Sequence, residues 1–250
     1  MAGLDYAATG TSTGIFKRQD NGLVGMFFNY GYQDIDTGAR QSANINSLML
    51  GVFLHQRSCC GLFYTLAVAG GHDAYRSSRS TMTGTASGDY DGAQIASSLE
   101  VGNTYSWNSL QIEPRAMLQH TYLYQDDFTE TGAGISNATV NDTDTNSLRS
   151  RLGTRVKLGS HCSKFGVLTP HLDGYWMHEF LDTNTLVSLS QGGAPAFGTR
   201  GLDLGRDWLQ VGGGGTLELN NSLSIYGSYE AQINDRTSLH TGTAGFSLTW

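Results

Sequence analysis

An all-β, antiparallel, transmembrane up-and-down β-barrel is the fold class this sequence predicts, and three observations predict it. Strand-like segments with period-two alternation recur from about residue 11 to residue 250. Most of them are longer than the ~5–6 residues usual for soluble strands and match the ~9–11 needed to cross a bilayer at a tilt. The connections alternate between short turns and long polar loops, a sorting that a membrane barrel imposes and a soluble sandwich does not.

Composition narrows the alternatives. Charged residues are 15% of the 250, well below the usual quarter, and the 33 glycines contrast with 3 prolines, which favours extended chain with many turns. The glycines follow no collagen period, and the aromatic content of 10% argues against a disordered chain. The formal net charge is -7 and no basic run exists, so nucleic acid is not an expected partner. No stretch approaches ~18 consecutive apolar residues, which excludes a transmembrane helix. Alternating strands escape that test, because they average to a mild mean hydropathy, here -0.27.

The segments read, in order, 11–19, 22–33, 46–57, 61–76, 91–106, 109–127, 145–159, 166–182, 207–220, 222–234 and 237–250, eleven in one domain without a linker. Short turns are expected at Asp20-Asn21-Gly22, Ser58-Cys59-Cys60, Trp107-Asn108, Gly159–Gly166 and Asn220-Asn221. Long loops rich in Gly, Ser, Thr, Asn and Asp are expected at 34–45, 77–90, 128–144 and 183–206.

Each strand has two unlike faces. Val24, Met26, Phe28, Tyr30 and Tyr32 oppose Gly25, Phe27, Asn29 and Gly31. Leu110, Ile112, Pro114, Ala116, Leu118, Tyr122 and Tyr124 oppose Gln111, Glu113, Arg115, Met117, Gln119 and Thr121. Leu148, Leu152, Val156 and Leu158 oppose Arg149, Arg151, Arg155 and Lys157. Leu168, Pro170, Leu172, Trp176 and Phe180 oppose His171, Asp173, Tyr175 and Glu179. In a membrane barrel the apolar face meets lipid and the charged face lines the lumen. Glu113, Arg115, Arg149, Arg151, Arg155, Lys157, Asp173 and Glu179 are therefore expected to face inward and to neutralise one another. Tyr30, Tyr32, Tyr122, Tyr124, Trp176 and Phe180 sit beside the long loops, with Phe246 and Trp250 at the other end, as two interfacial girdles would.

Chemistry-bearing patterns are weak. Cys59, Cys60 and Cys162 are odd in number and lack CxxC spacing, so neither zinc nor a disulfide framework follows. His178 alternates away from His171, Asp173 and Glu179, which argues against a metal site. Gly212 to Gly215 lack the Lys-Ser/Thr of a phosphate loop and fit close strand packing. No GxSxG elbow exists. No catalytic residue, cofactor or metal is expected.

The stretches SLRSRLGTR (147–155), PHLDGYWMHEF (170–180), LQVGGGGTLELNNSLSIYGSYE (209–230) and GTAGFSLTW (242–250), with FTETGAG (128–134) and LVGMFFNYGY (23–32), resemble the β-domain of bacterial autotransporters. That resemblance implies a 12-stranded barrel in the outer membrane of a Gram-negative bacterium. It also implies an internal helix leading to an N-terminal passenger that the barrel exports or displays. Against that pattern residues 1–250 are expected to hold about eleven strands, without the first strand, the pore helix or the passenger. The inward Arg and Lys stripe could then also hold the pore helix or ease passage of a polar chain. Ala244, Phe246, Leu248 and Trp250 resemble the terminal signal read by the barrel-assembly machinery. A general porin or structural barrel is the alternative, which the genomic sequence upstream would decide.

Overall fold

The computed structural model describes residues 17–19, 22–36, 41–201, 203–220 and 222–248. Strands dominate: β1 (Lys17–Gln19), β2 (Gly22–Asp36), β3 (Gln41–Arg57), β4 (Leu62–Thr81), β5 (Gly84–Asn103), β6 (Tyr105–Trp107), β7 (Leu110–Gln125), β8 (Phe128–Thr129), β9 (Ala138–Val140), β10 (Thr143–Lys157), β11 (His161–Ser163), β12 (Gly166–Glu179), β13 (Leu186–Gln191), β14 (Phe197–Arg200), β15 (Asp207–Glu218), β16 (Leu223–Ile233) and β17 (Ser238–Leu248). The one helical element among the described residues is a 3₁₀ turn at Gly134–Ser136.

The main sheet runs β1-β2-β3-β4-β5-β7-β10-β12-β15-β16-β17, every neighbour antiparallel, with β6 and β11 as short extensions paired to β7 and β12. Eleven strands thus follow chain order, as a meander does. Among the described residues β1 pairs with β2 and β17 with β16. Residues 11–16 of the segment expected at 11–19, and Trp250, lie outside the described residues.

The sheet curls on itself. One cavity of about 240 Å³ is lined by Phe27 and Asn29 of β2, Met49 of β3, Gln94 of β5, Arg151 of β10, Met177 of β12, Gln210 of β15, and Glu230 and Gln232 of β16. A flat sheet would hold β2 and β16 some eight strand spacings of ~4.8 Å apart. The outer surface carries the apolar side chains, among them Met26, Leu50, Val68, Ile95, Leu172 and Phe246, all exposed. The enclosed surface carries the polar ones: Ser47, Asp73, Gln94, Glu113, Asp173, Glu179 and Gln210 are buried.

Glycine makes room on the inner surface. A Cβ on Gly51 would strike the ring of Phe27, one on Gly102 the ring of Phe63, and one on Gly153 the ring of Tyr175. Each aromatic occupies space that a side chain on the neighbouring strand would need. In the run Gly212–Gly215 a Cβ at Gly214 would meet Ser228 and the imidazole of His171, so the run serves close approach of β12, β15 and β16.

Turn chemistry fixes one end. Asn108, in the tight turn between β6 and β7, is the one non-glycine residue among those described with positive φ (54°). Asn tolerates the left-handed region that such hairpin turns demand. The turns at 58–61, 158–165 and 219–222 share this end with it.

The opposite end differs from the loop expectations. The loop expected at 34–45 shrinks, because β2 continues to Asp36 and β3 starts at Gln41. The loop expected at 77–90 is a hairpin: β4 and β5 pair from Leu62↔Asn103 out to Thr81↔Gly84. The expected loops at 128–144 and 183–206 contain a second sheet of order β14-β13-β9-β8. Sequence misses the outer part of the β4–β5 hairpin because Ser, Thr, Gly and Asp occupy both faces there, and it misses the second sheet because its strands are only two to six residues long. Backbone pairing needs no side-chain alternation where both faces are polar.

Candidate functional site: the charged inner wall

The inner face of β5, β7, β10 and β12 concentrates the charges. Register brings them together: Arg155 lies between Glu113 of β7 and Asp173 of β12, and Arg149 lies opposite Glu179. Glu113 is fully buried and is the hub. It accepts from Arg115 Nη2 at 2.5 Å and Lys157 Nζ at 2.8 Å, with Arg57 Nη2 at 3.8 Å and the Thr104 hydroxyl at 3.3 Å. Arg57 belongs to β3, three strand positions from β7, and its approach to Glu113 reports the curl of the sheet.

Glu100, on β5, accepts from Arg115 Nη1 at 3.0 Å and Arg151 Nη2 at 2.9 Å. Arg155 grips Asp173 with two nitrogens, at 2.6 and 3.2 Å, and the His171 ring lies 3.5 Å from the same carboxylate. Glu179 holds Arg149 at 3.4 Å and accepts from the Ser147 hydroxyl and the backbone N–H of Leu148 and Leu181. The guanidinium of Arg115 sits 5.1 Å from the Phe63 ring centre and that of Arg151 4.7 Å from Tyr175, close enough for cation–π attraction. The eight charges singled out in the sequence fall into three ion-pair groups: Glu113 with Arg115, Lys157 and, through Glu100, Arg151; Asp173 with Arg155; and Glu179 with Arg149.

Sequence reasoning missed Glu100, Arg57 and the buried pair of Asp73 and Gln94, in which the amide donates to both carboxylate oxygens at 2.8 Å. Glu100 alternates in phase with Gln94 and Ser98 on one face of β5, a signal that was present. Gln210 and Glu230, joined at 2.9 Å, extend the polar lining to β15 and β16.

The outer face reads differently. Tyr30 and Tyr32 are exposed near the end of β2, and their hydroxyls donate to Asn46 and Asn44 at 2.9 Å. Tyr122 and Tyr124 are half-buried and alternate away from the lumen-lining Thr121 and Leu123. Trp176 is exposed and its indole N–H donates to Asp207 at 3.0 Å, while Phe180 meets His178 edge-on at 4.8 Å. His178 also bonds Asp207, at 2.9 Å, on this outer side and away from His171 and Asp173. Ala244, Phe246 and Leu248 are exposed on the outer face of β17.

Among the described residues no group of three or more His, Cys, Asp or Glu side chains is placed to hold a metal ion. No helix among them is long and apolar enough to cross a membrane, which has no bearing on strands. Cys59, Cys60 and Cys162 are exposed free thiols in the short-turn end.

The arrangement can do two things. Its apolar exterior and neutralised interior suit a wall between lipid and a polar passage, and its buried ion pairs cross-link neighbouring strands from within.

The Autotransporter beta-domain family model matches residues 1–230. Among solved structures, the translocator domain of autotransporter NalP from Neisseria meningitidis aligns with a TM-score of 0.78 at 16% identity, covering 94% of this chain and 78% of that one. The β-domain of the Bordetella autotransporter BrkA aligns with a TM-score of 0.69 at 18% identity, covering 95% of this chain and 88% of that one. No curated protein sequence matches the chain.

Proposed function

Because this chain belongs to the autotransporter β-domain family, outer-membrane barrels of Gram-negative bacteria, we propose that it is the anchor and conduit for a passenger polypeptide linked on its N-terminal side. The observation that carries this reading is the inverted wall. Leucines and aromatics face outward, while Glu113, Glu100, Asp173 and Glu179 neutralise Arg115, Lys157, Arg151, Arg155 and Arg149 within. A lumen whose charges already have partners offers hydrogen bonds to a passing polar chain without holding it by uncompensated charge.

The work done is transport and anchoring, with no bond made or broken. Tyr30, Tyr32, Tyr122, Tyr124, Trp176 and Phe180 set the level of the outer interface. The terminal strand engages the barrel-assembly machinery through Ala244, Phe246, Leu248 and Trp250, since alternating apolar anchors on a strand edge suit strand addition to a partner sheet.

The test places a secretion signal and a short epitope upstream of residue 1 and asks where the epitope resides. Antibody labelling of intact cells is the expected result, abolished when 143–179 is deleted. An epitope retained in the periplasm beside a correctly inserted barrel would contradict the conduit and favour a porin.

A further inference from the structure

Beyond the outer interface the wall is not of one height. β2 turns back at Asp36, soon after Tyr32, and β16 turns back at Ile233. Several strands between them continue. Backbone bonds join Asp126 to Asp91, Thr131 to Ser87, Phe180 to Leu148, Asp182 to Asn146 and Leu204 to Thr183. The β8-β9-β13-β14 sheet thus carries the pairing of β5, β7, β10, β12 and β15 outward. One side of the rim is a raised wall, and β14 is its last strand.

Register shows which side chains the raised wall turns toward the barrel axis. Tyr75 lines a chamber of about 130 Å³ at the outer end of the lumen. Tyr90 lies directly opposite it, and the two rings stack at 4.8 Å. Phe128 stacks on Tyr90 at 4.2 Å. Phe128 is opposite Val140, Val140 opposite Leu189, and Leu189 opposite Phe197. Residues directly opposite one another on antiparallel strands share a face. These six side chains therefore form one apolar row, from the lumen wall out to β14, on the face that looks away from lipid.

The far end of the row is unfinished. Tyr75 is buried, whereas Phe197 is 52% exposed. One edge of β14 pairs with β13, and among the described residues no strand pairs with the other. The neighbour that would cover it is β16, which stops at Ile233 opposite Leu209. The turn that follows reaches only as far as Leu204 and Asp203, through Asn234 and Arg236. Exposed edges are commonly guarded by charged side chains. This one is unguarded: no charged residue falls between Leu186 and Thr199.

Position decides what fits there. A chain in transit is extended, and its backbone groups and apolar side chains lack partners. β14 offers both kinds of partner at the exit. In strand addition, backbone bonds supply affinity and alternate side chains fill the adjoining surface.

We propose that β14 is a strand-addition site for the passenger's extended segment as it leaves the lumen. The segment pairs with Phe197–Arg200 and lays alternate apolar side chains beside Phe197 and Leu189. This rests on the conduit reading and adds to it the place where the emerging chain is first held.

The test is fluorescence anisotropy of labelled peptides added to the protein in lipid nanodiscs, with Cys59, Cys60 and Cys162 changed to Ser. One peptide is a short alternating Thr-Val repeat. The other has the same composition with Thr and Val in pairs, which breaks period two. The alternating peptide should bind about tenfold more tightly. Phe197→Lys should weaken it about tenfold, ~1.4 kcal/mol, while Leu186→Lys, on the opposite face, should leave it unchanged. With a cysteine at one apolar position of the peptide, Thr199→Cys should form a disulfide on mild oxidation and Arg200→Cys should not, because the two alternate in face. Heat-modifiable migration of each variant checks that the barrel is intact. Equal binding of the two peptides, or binding that Phe197→Lys leaves unchanged, would overturn the site. Barrel-to-barrel disulfides at Thr199→Cys in place of peptide adducts would assign the edge to a second copy and overturn the passenger as its occupant. The two readings fail separately: an epitope kept in the periplasm removes the conduit, whereas export without peptide binding removes only the strand-addition site.

Discussion

The wall of the barrel and the β8-β9-β13-β14 sheet that continues it at the long-loop end are both antiparallel β-structure, yet they are held together by different means. In the wall, alternation is strict, and the inner face is tied by carboxylates shared between bases on several strands, Glu113 between Arg115 and Lys157, Glu100 between Arg115 and Arg151. In the external sheet the partners are local and mostly neutral, with one ion pair and one aromatic stack at the junction. The difference teaches where each region keeps its stability. The wall is cross-linked through its interior, and the sheet continues it through a seam of backbone bonds and a few local contacts.

The largest expected effect comes from cutting a wall cross-link. Glu113→Ala leaves Arg115, Lys157 and Arg57 facing one another without their shared carboxylate. Removing one partner of a buried pair costs about 3–5 kcal/mol, and the midpoint of heat-modified migration should fall steeply. The exposed pair of Arg76 and Asp89, at 3.2 Å, supplies the contrast. Asp89→Ala should change the same midpoint by no more than about 0–1 kcal/mol. Similar losses at the two sites would erase the distinction between interior and surface ion pairs.

Next in size is a charge on the lipid side. Leu152 is exposed on the outer face of β10, beside Arg151 on the inner one. Leu152→Arg should cost about 2–4 kcal/mol of stability in bilayers. Arg151→Leu should cost less, since Glu100 keeps Arg115. Denaturant titrations of both variants refolded in lipid vesicles give the order, and the reverse order would exchange the two faces.

A smaller and local effect is expected at the seam. Phe128→Ala removes the stack on Tyr90, a contact of about 0.5–1.5 kcal/mol beyond area burial. Limited proteolysis should cut within 132–136 up to about tenfold faster, while the wall's melting stays at the parental value. A fall in both would join seam and wall into one cooperative unit.

The smallest effect is a pH dependence at the far foot of the sheet. The backbone N–H of Gly205 and the guanidinium of Arg236 hold the Asp203 carboxyl below the usual carboxylate range. A lowered folded value means that this contribution is present above the ordinary carboxylate pKa and is lost as pH falls through the lowered one. Protease nicking at 201–206 should therefore increase on acidification, and Asp203→Asn should flatten the profile. A profile that Asp203→Asn leaves unchanged would assign the acid response to another group.

The same contrast explains what could be read from the sequence. Along 110–125, 143–157 and 166–179 one face must meet an apolar medium and the other must not, so period two is written into the residues, and the side on which Arg151 or Leu172 falls is legible. The shared partners of those charges are less so: Arg57 reaches Glu113 across the curl of the sheet, which no local pattern records. In RSSRSTMTGTASGDYDG (76–92) no apolar medium constrains either face. The residues read as a loop there, although the backbone pairs without interruption from Leu62↔Asn103 to Thr81↔Gly84. The partners Arg79 and Glu130 lie 51 residues apart in sequence, and their pairing depends on that unread hairpin.

The central claim is that the apolar face of this wall meets lipid and the charged face does not. Cysteines placed singly at Leu152 and Arg151, in the background with Cys59, Cys60 and Cys162 changed to Ser, can carry an environment-sensitive fluorophore in a barrel inserted into vesicles with brominated acyl chains. Strong quenching at 152 and little at 151 is the result this account predicts. Strong quenching at 151 with little at 152 would contradict it.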